Sequence, residues 1–248
     1  MTIRINDEYR VLINLYKREG LDLSLFEKRM AAVIINGSRI LHLNTVEGVS
    51  IEGSEAEDGV TAEIKIEEGV KLPFPIHLCT GFLRNEGFQK VIFNINVGAD
   101  AEVRFLSHCI FPYAKNFTHE AIARIKVGKN AIVTYDDTHV HGEGVRMISK
   151  SDVEVLDGGR YIGRFSLTKH RAKELKFETN VKLGNYSSAE ISSKVKAVRD
   201  DNVEMKEVLS LEGSYSRGRI KSIVIASDEA RVNVINEVYG LESTQRDM

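Results

Sequence analysis

The chain has 248 residues, nearly balanced acids and bases with a formal net charge of -2, two cysteines, three prolines and no tryptophan. So small a charge lays down no basic field for nucleic acid or anionic lipid, so neither a nucleic-acid nor a membrane partner is expected, and any macromolecular partner should be a protein. Two cysteines without a CxxC pair exclude a disulfide-stapled secreted scaffold, and with no signal-peptide pattern and no apolar run of about 20 residues, reduced thiols and a cytoplasmic location are expected.

The first segment, residues 7 to 31, differs from the rest. Val11, Leu12, Leu15 and Tyr16, then Leu25, Phe26 and Met30, recur mostly at steps of three and four with Gly20 between, which predicts two short amphipathic helices. Residues 1–31 are therefore expected to form an α-helical N-terminal cap, covering the apolar surface and unpaired edges that a stacked β protein leaves at its first coil.

From Val33 the pattern changes to strict alternation, as in Val91-Ile92-Phe93-Asn94-Ile95-Asn96-Val97 and Ala121-Ile122-Ala123-Arg124-Ile125-Lys126-Val127. Period two with β-branched residues means strand. Gly69, Gly98, Gly128, Gly158, Gly184 and Gly213 follow such strands, and after most of them a short polar stretch leads into a second strand. The repeat of about 29 residues falls in the range of stacked architectures. The expected fold is mainly β, a single-stranded right-handed β-helix or solenoid over residues 32–240. Glycine at these corners can take the positive φ that a tight turn needs. A meander of hairpins carries the same local signals, whereas the absence of a six-residue period disfavours a left-handed hexapeptide solenoid. No linker divides the chain, and residues 241–248 lose the alternation and are expected to fray.

Several loose motifs occur in an order that resembles the SufB/SufD family of iron-sulfur cluster assembly scaffolds. They are Phe105-Leu106-Ser107-His108-Cys109, His119-Glu120-Ala121, Ala131-Ile132-Val133-Thr134-Tyr135, Ser192-Ser193-Lys194-Val195-Lys196-Ala197, Gly213-Ser214-Tyr215-Ser216-Arg217-Gly218-Arg219, Asp228-Glu229-Ala230-Arg231 and Glu237-Val238-Tyr239-Gly240. The resemblance covers roughly residues 65 to 240. It implies a non-catalytic β-helical scaffold that pairs with a SufB- or SufD-like subunit as a homo- or heterodimer, works with a SufC-like ATPase that hydrolyses the nucleotide, and handles a transient Fe-S cluster. It also implies that Cys109 matches a cysteine that receives or passes sulfur. Family chains are expected to continue past Glu237–Gly240 into a coil with further cluster ligands and helices that bind SufC. Because this sequence ends at Met248, a truncated chain or a short paralogue is expected, lacking both.

The residues themselves leave alternatives open. Cys109 is either a thiolate for sulfur and iron chemistry or a small apolar filler of the core. His108 adjoins it, but neighbours on a strand face opposite ways. His139 and His141, two apart, face the same way and suit a transition metal, with Asp136 and Asp137 as hard ligands nearby, although Gly142 and Gly144 favour a polar turn at a coil edge. His119 and Glu120 read as a surface pair in preference to an acid-base dyad, and Cys79 reads as a core residue. No nucleophile elbow, P-loop or HExxH is present. Two other functions stay open. One is a β-helical polysaccharide-active enzyme with Asp136, Asp137, Asp152 and Asp157 as its acids, and the other is a purely structural solenoid that self-associates.

Overall fold

In the computed structural model the described residues are 5–20 and 30–240. The second expected helix falls mostly on residues 21–29, and the tail is 241–248, so both lie outside the described residues. Among the described residues one helix, α1 (Ile5–Arg18), precedes sixteen strands. The first five are β1 (Ala32–Asn36), β2 (Arg39–Asn44), β3 (Val49–Ala56), β4 (Gly59–Ile66) and β5 (Ile76–Gly81). Then come β6 (Glu86–Val97), β7 (Glu102–Phe111), β8 (Asn116–Val127), β9 (Ile132–His141), β10 (Val145–Val155) and β11 (Arg160–Lys169). The last are β12 (Glu174–Leu183), β13 (Ser188–Ala197), β14 (Asn202–Leu211), β15 (Arg217–Ala226) and β16 (Arg231–Gly240).

The strands form two eight-stranded sheets, ordered β15-β13-β11-β9-β7-β5-β1-β2 and β16-β14-β12-β10-β8-β6-β4-β3. From β4 onward the chain alternates between them, so each coil gives one strand to each sheet. The result is the expected β-solenoid, of about six turns. Among the described residues only β1/β2 and β3/β4 are antiparallel, and the other ladders are parallel, which rules out the hairpin meander. Stacked side chains repeat at offsets of 28, 29 and 30 residues.

Alternation sends one side chain of each pair inward. Val91, Phe93, Ile95 and Val97 on β6 meet Val103 and Phe105 on β7, and the same phase continues along the later coils. A second interior cluster gathers Cys109, Phe111, Phe117, Met147, Phe165 and Phe177. Each such side chain contributes about 1.5–3 kcal/mol by leaving water, and the stack repeats this coil after coil.

Most of the corner glycines do not take the positive φ open to them. Of the six, only Gly69 and Gly158 have positive φ, at 72° and 70°. In the other coils the left-handed residue is Asp100, Asn130, Tyr186 or Tyr215, residue types that reach this conformation at some cost. Gly128 is needed for a different reason, because a Cβ there would lie 2.6 Å from the carbonyl of Gly98 in the coil beneath. The coils touch backbone to backbone at this corner.

Helix α1 carries Asp7 and Glu8 in its first turn and Lys17 and Arg18 in its last, matching the helix dipole. Its buried residues Leu12, Leu15 and Tyr16 pack on Ile34, Cys79, Ile110 and Val140, which lie on β1, β5, β7 and β9. The helix thus covers the outer face of one sheet at the first coils, while β2 and β3 form the N-terminal edges. Glu8 holds it there through Asn36, 2.8 Å away, and Arg39. At the other end β15 and β16 leave Ile225, Val238 and Tyr239 more than half exposed.

Candidate functional site

Strand β7 separates two groups of chemically active side chains by alternation alone. Cys109 faces the solenoid interior with Ser107 and Phe111, while His108 faces outward beneath α1. The expected separation of His108 from Cys109 is therefore what the fold produces. Both cysteines are buried and free.

In the interior, Cys109 lies beside His139 in the β7/β9 ladder. His119 reaches across from β8 in the opposite sheet and places Nε2 3.9 Å from the Cys109 sulfur. Asp137, two residues before His139 on the same face, approaches His139 Nε2 to 3.0 Å. His139 Nδ1 and His141 Nε2 are 3.4 Å apart. Cys109, Asp137 and His139 each offer a ligand atom within 4.8 Å of the others, a mixed soft and hard set that suits iron. A cavity of about 20 Å³ adjoins Cys109, His119, Asp137 and His139, which is room for one water-sized atom.

The charges in this cluster are unequal. Burial works against a proton on His139, but Asp137 and the Cys109 sulfur together outweigh it and push His139 up to about 10. Burial also disfavours the carboxylate of Asp137, yet His139, a hydrogen bond from Ser107 and the nearby His119 hold it below the usual range. His119 is pushed down to about 3 by burial and by the His139 charge, against the opposing pull of Asp137. His141 is driven well below its ordinary value by burial and by His139, His119 and His170. One imidazolium therefore sits between two neutral imidazoles. Its Nδ1–H donates to His141 Nε2, and its Nε2 lies within ion-pair distance of the Asp137 carboxylate.

Several expectations are corrected. His119 is fully buried and is no surface residue, whereas Glu120 does face outward and pairs with Lys90 at 3.0 Å. His139 and His141 are 1% exposed, so they form no polar turn at a coil edge; the turn begins only at Gly142. Asp136 and Asp137 do not act together, because Asp136 faces outward between Arg104 and Arg164, at 2.7 and 2.9 Å. The four acids suggested for polysaccharide chemistry do not converge either. Asp137 is interior, Asp152 lies on the outer face of the other sheet next to Asn180, and Asp157 caps a corner through the Asn185 amide.

Three features of the interior and the helix seam carry no role in the sequence motifs. Ser107 and Tyr135 line the interior cluster. Farther along, the interior holds the buried Glu207, bonded to Ser193 at 3.1 Å and to Ser222 at 2.5 Å, with burial raising its carboxyl above the ordinary value against both serines. His77 lies beneath α1. Parity was the available signal, because Ser107, Tyr135 and Glu207 fall in phase with the inward apolar residues of their own strands.

Among the described residues no helix is long and apolar enough to cross a membrane. No protein-family model matches the chain. Two curated proteins do. An iron-sulfur cluster assembly SufBD family protein of Pyrococcus horikoshii is 62% identical over 242 residues, covering 97% of this chain and 74% of the relative. A second protein of that description, from Methanocaldococcus jannaschii, is 31% identical over 210 residues, covering 84% of this chain and 66% of the relative. With the solenoid and its cysteine–histidine interior in view, these matches settle the ancestry: the chain belongs to the SufBD family of iron-sulfur cluster assembly proteins.

Proposed function

We propose that the chain is a non-catalytic scaffold subunit of a SufBCD-type complex in the cytoplasm, and that Cys109 is its sulfur acceptor. The observation that carries this reading is the placement of Cys109 between the neutral His119 and the imidazolium of His139, which Asp137 keeps charged. The thiolate is the form of a cysteine that attacks sulfur and binds iron. In the proposed step the Cys109 sulfur attacks the terminal sulfur of a donor protein persulfide. A new S–S bond forms on Cys109 as the donor's S–S bond breaks. The thiol proton of Cys109 ends on the donor's departing sulfur. The adjoining cavity has room for the added atom.

Iron and sulfide are cargo in this reading, and a transient Fe-S cluster is the product. Nucleotide hydrolysis falls to a SufC-like ATPase, and a second SufB- or SufD-like subunit, identical or different, completes the scaffold. Persulfide labelling of the purified protein by a cysteine desulfurase system tests the assignment. Label is expected on the wild type and lost in Cys109→Ser with circular dichroism unchanged. Unchanged labelling in the variant would return Cys109 to a packing role. Co-purification with an ATPase and binding of iron and sulfide on anaerobic reconstitution are expected as well, and failure of both would sink the scaffold reading.

A further inference from the structure

The outer face of the same sheet carries a second group of soft ligands. His77 and Cys79 are two apart on β5 and therefore face the same way. The parallel ladder sets Cys79 directly opposite His108 of β7. One ligand atom from each of the three lies within 4.8 Å of the others, and all three residues are buried. The two imidazoles stack nearly parallel, 9° apart in plane, with centroids 6.3 Å apart.

Helix α1 closes the site. The Tyr16 hydroxyl donates to the carbonyls of Thr80 and His108, at 3.2 and 3.3 Å, and is within reach of the Cys79 thiol. Around it Leu12, Leu15, Ile34, Ile110 and Val140 exclude water. Two imidazoles and a thiol are a standard set for zinc, with distances of about 2.0–2.3 Å to each ligand and a fourth position left over.

We propose that His77, Cys79 and His108 bind one zinc-class divalent cation beneath α1, which locks together two of the strands on which the helix packs. On binding, the cation displaces the thiol proton of Cys79 to solvent, and no redox change occurs. The site stands apart from the Cys109 cluster, which lies on the other side of the sheet, and does not rest on the function proposed for that cluster.

The test uses the full chain, stripped by chelator and titrated with Co²⁺ as the spectroscopic probe. One equivalent is expected to give a thiolate-to-cobalt charge-transfer band and the intense visible bands of a tetrahedral site. Cys79→Ala and His108→Gln should each lower the affinity of this site about tenfold or more. Because α1 packs on these residues, folding of each variant is checked by circular dichroism. Limited proteolysis of the unaltered chain gives an independent readout, since Zn²⁺ should slow cleavage within residues 5–20 and chelator should restore it. The proposal is overturned if no stoichiometric cobalt spectrum appears, if the spectrum is lost in Cys109→Ser but kept in Cys79→Ala, or if Zn²⁺ leaves the cleavage rate unchanged.

Discussion

Asp137 and His139 set the charge of the interior, and their removal has opposite consequences for the groups beside them. In Asp137→Asn the burial of His139 loses its main opponent, so the imidazole should titrate at or below its ordinary 6.5 and no longer near 10. Histidine-resolved NMR titration reads this directly, and persulfide labelling of Cys109 should slow in the same variant. The wild-type cluster also predicts a stability optimum near neutral pH. The pKa of His139 is raised on folding, so its contribution is complete below about 6.5 and is lost as pH rises through about 10. The pKa of His119 is lowered to about 3, and that of His141 is lowered too. The unfolded chain therefore takes up protons below 6.5 that the folded chain refuses, and stability falls with pH from there. The lowered pKa of Asp137 adds stability above 3.8 that is lost as pH falls through its depressed folded value. Each group contributes a slope of up to about 1.4 kcal/mol per pH unit. Urea unfolding across this range should trace a maximum, and a flat profile would contradict the charge assignment. These histidines were visible in the sequence but misread. His119 shares the inward phase of Phe117 and Ala123, and His139 and His141 share that of Val133 and Tyr135. Glycine downstream and the polarity of histidine hid a parity that period-two counting supplies.

The strands were legible because alternation is a direct record of which face is buried, and Val91 to Val97 leave no ambiguity. The corners were legible in position but not in cause. A glycine letter records the absence of a Cβ and does not say whether φ or a neighbouring backbone demands it. The difference is measurable. Gly128→Ala drives a methyl group into the Gly98 carbonyl and should destabilise by about 3 kcal/mol, at the upper end of overpacking costs. Gly69→Ala meets open space at φ +72° and should lose only about 1 kcal/mol from its left-handed backbone. Equal denaturation midpoints for the two variants would refute the assignment. The helix shows a further limit. The spacing of Leu12, Leu15 and Tyr16 predicts an amphipathic helix, but no local pattern says that its apolar face lies across β1, β5, β7 and β9.

At the scale of the whole molecule each coil touches only its neighbours, so stability is distributed as in a one-dimensional stack. Amide exchange should be slowest in β8 to β12 and fastest in β15 and β16, whose outer neighbours are missing among the described residues and whose side chains are mostly exposed. Because α1 ties four strands together, Tyr16→Ala should cost about 3 kcal/mol and speed exchange in β5 and β7 while leaving β13 to β16 as they were. Uniform acceleration would mean that the stack unfolds as one unit. The alternation that divides β7 also bears on the protein's behaviour in air. Cys79 and Cys109 stand on neighbouring strands, one residue out of register, yet their Cβ atoms leave opposite faces of the sheet, and a disulfide needs them turned toward each other. Oxidant can modify either sulfur separately but cannot couple them within one folded chain, so the wall of hydrogen-bonded backbone acts as an insulator between two thiol compartments.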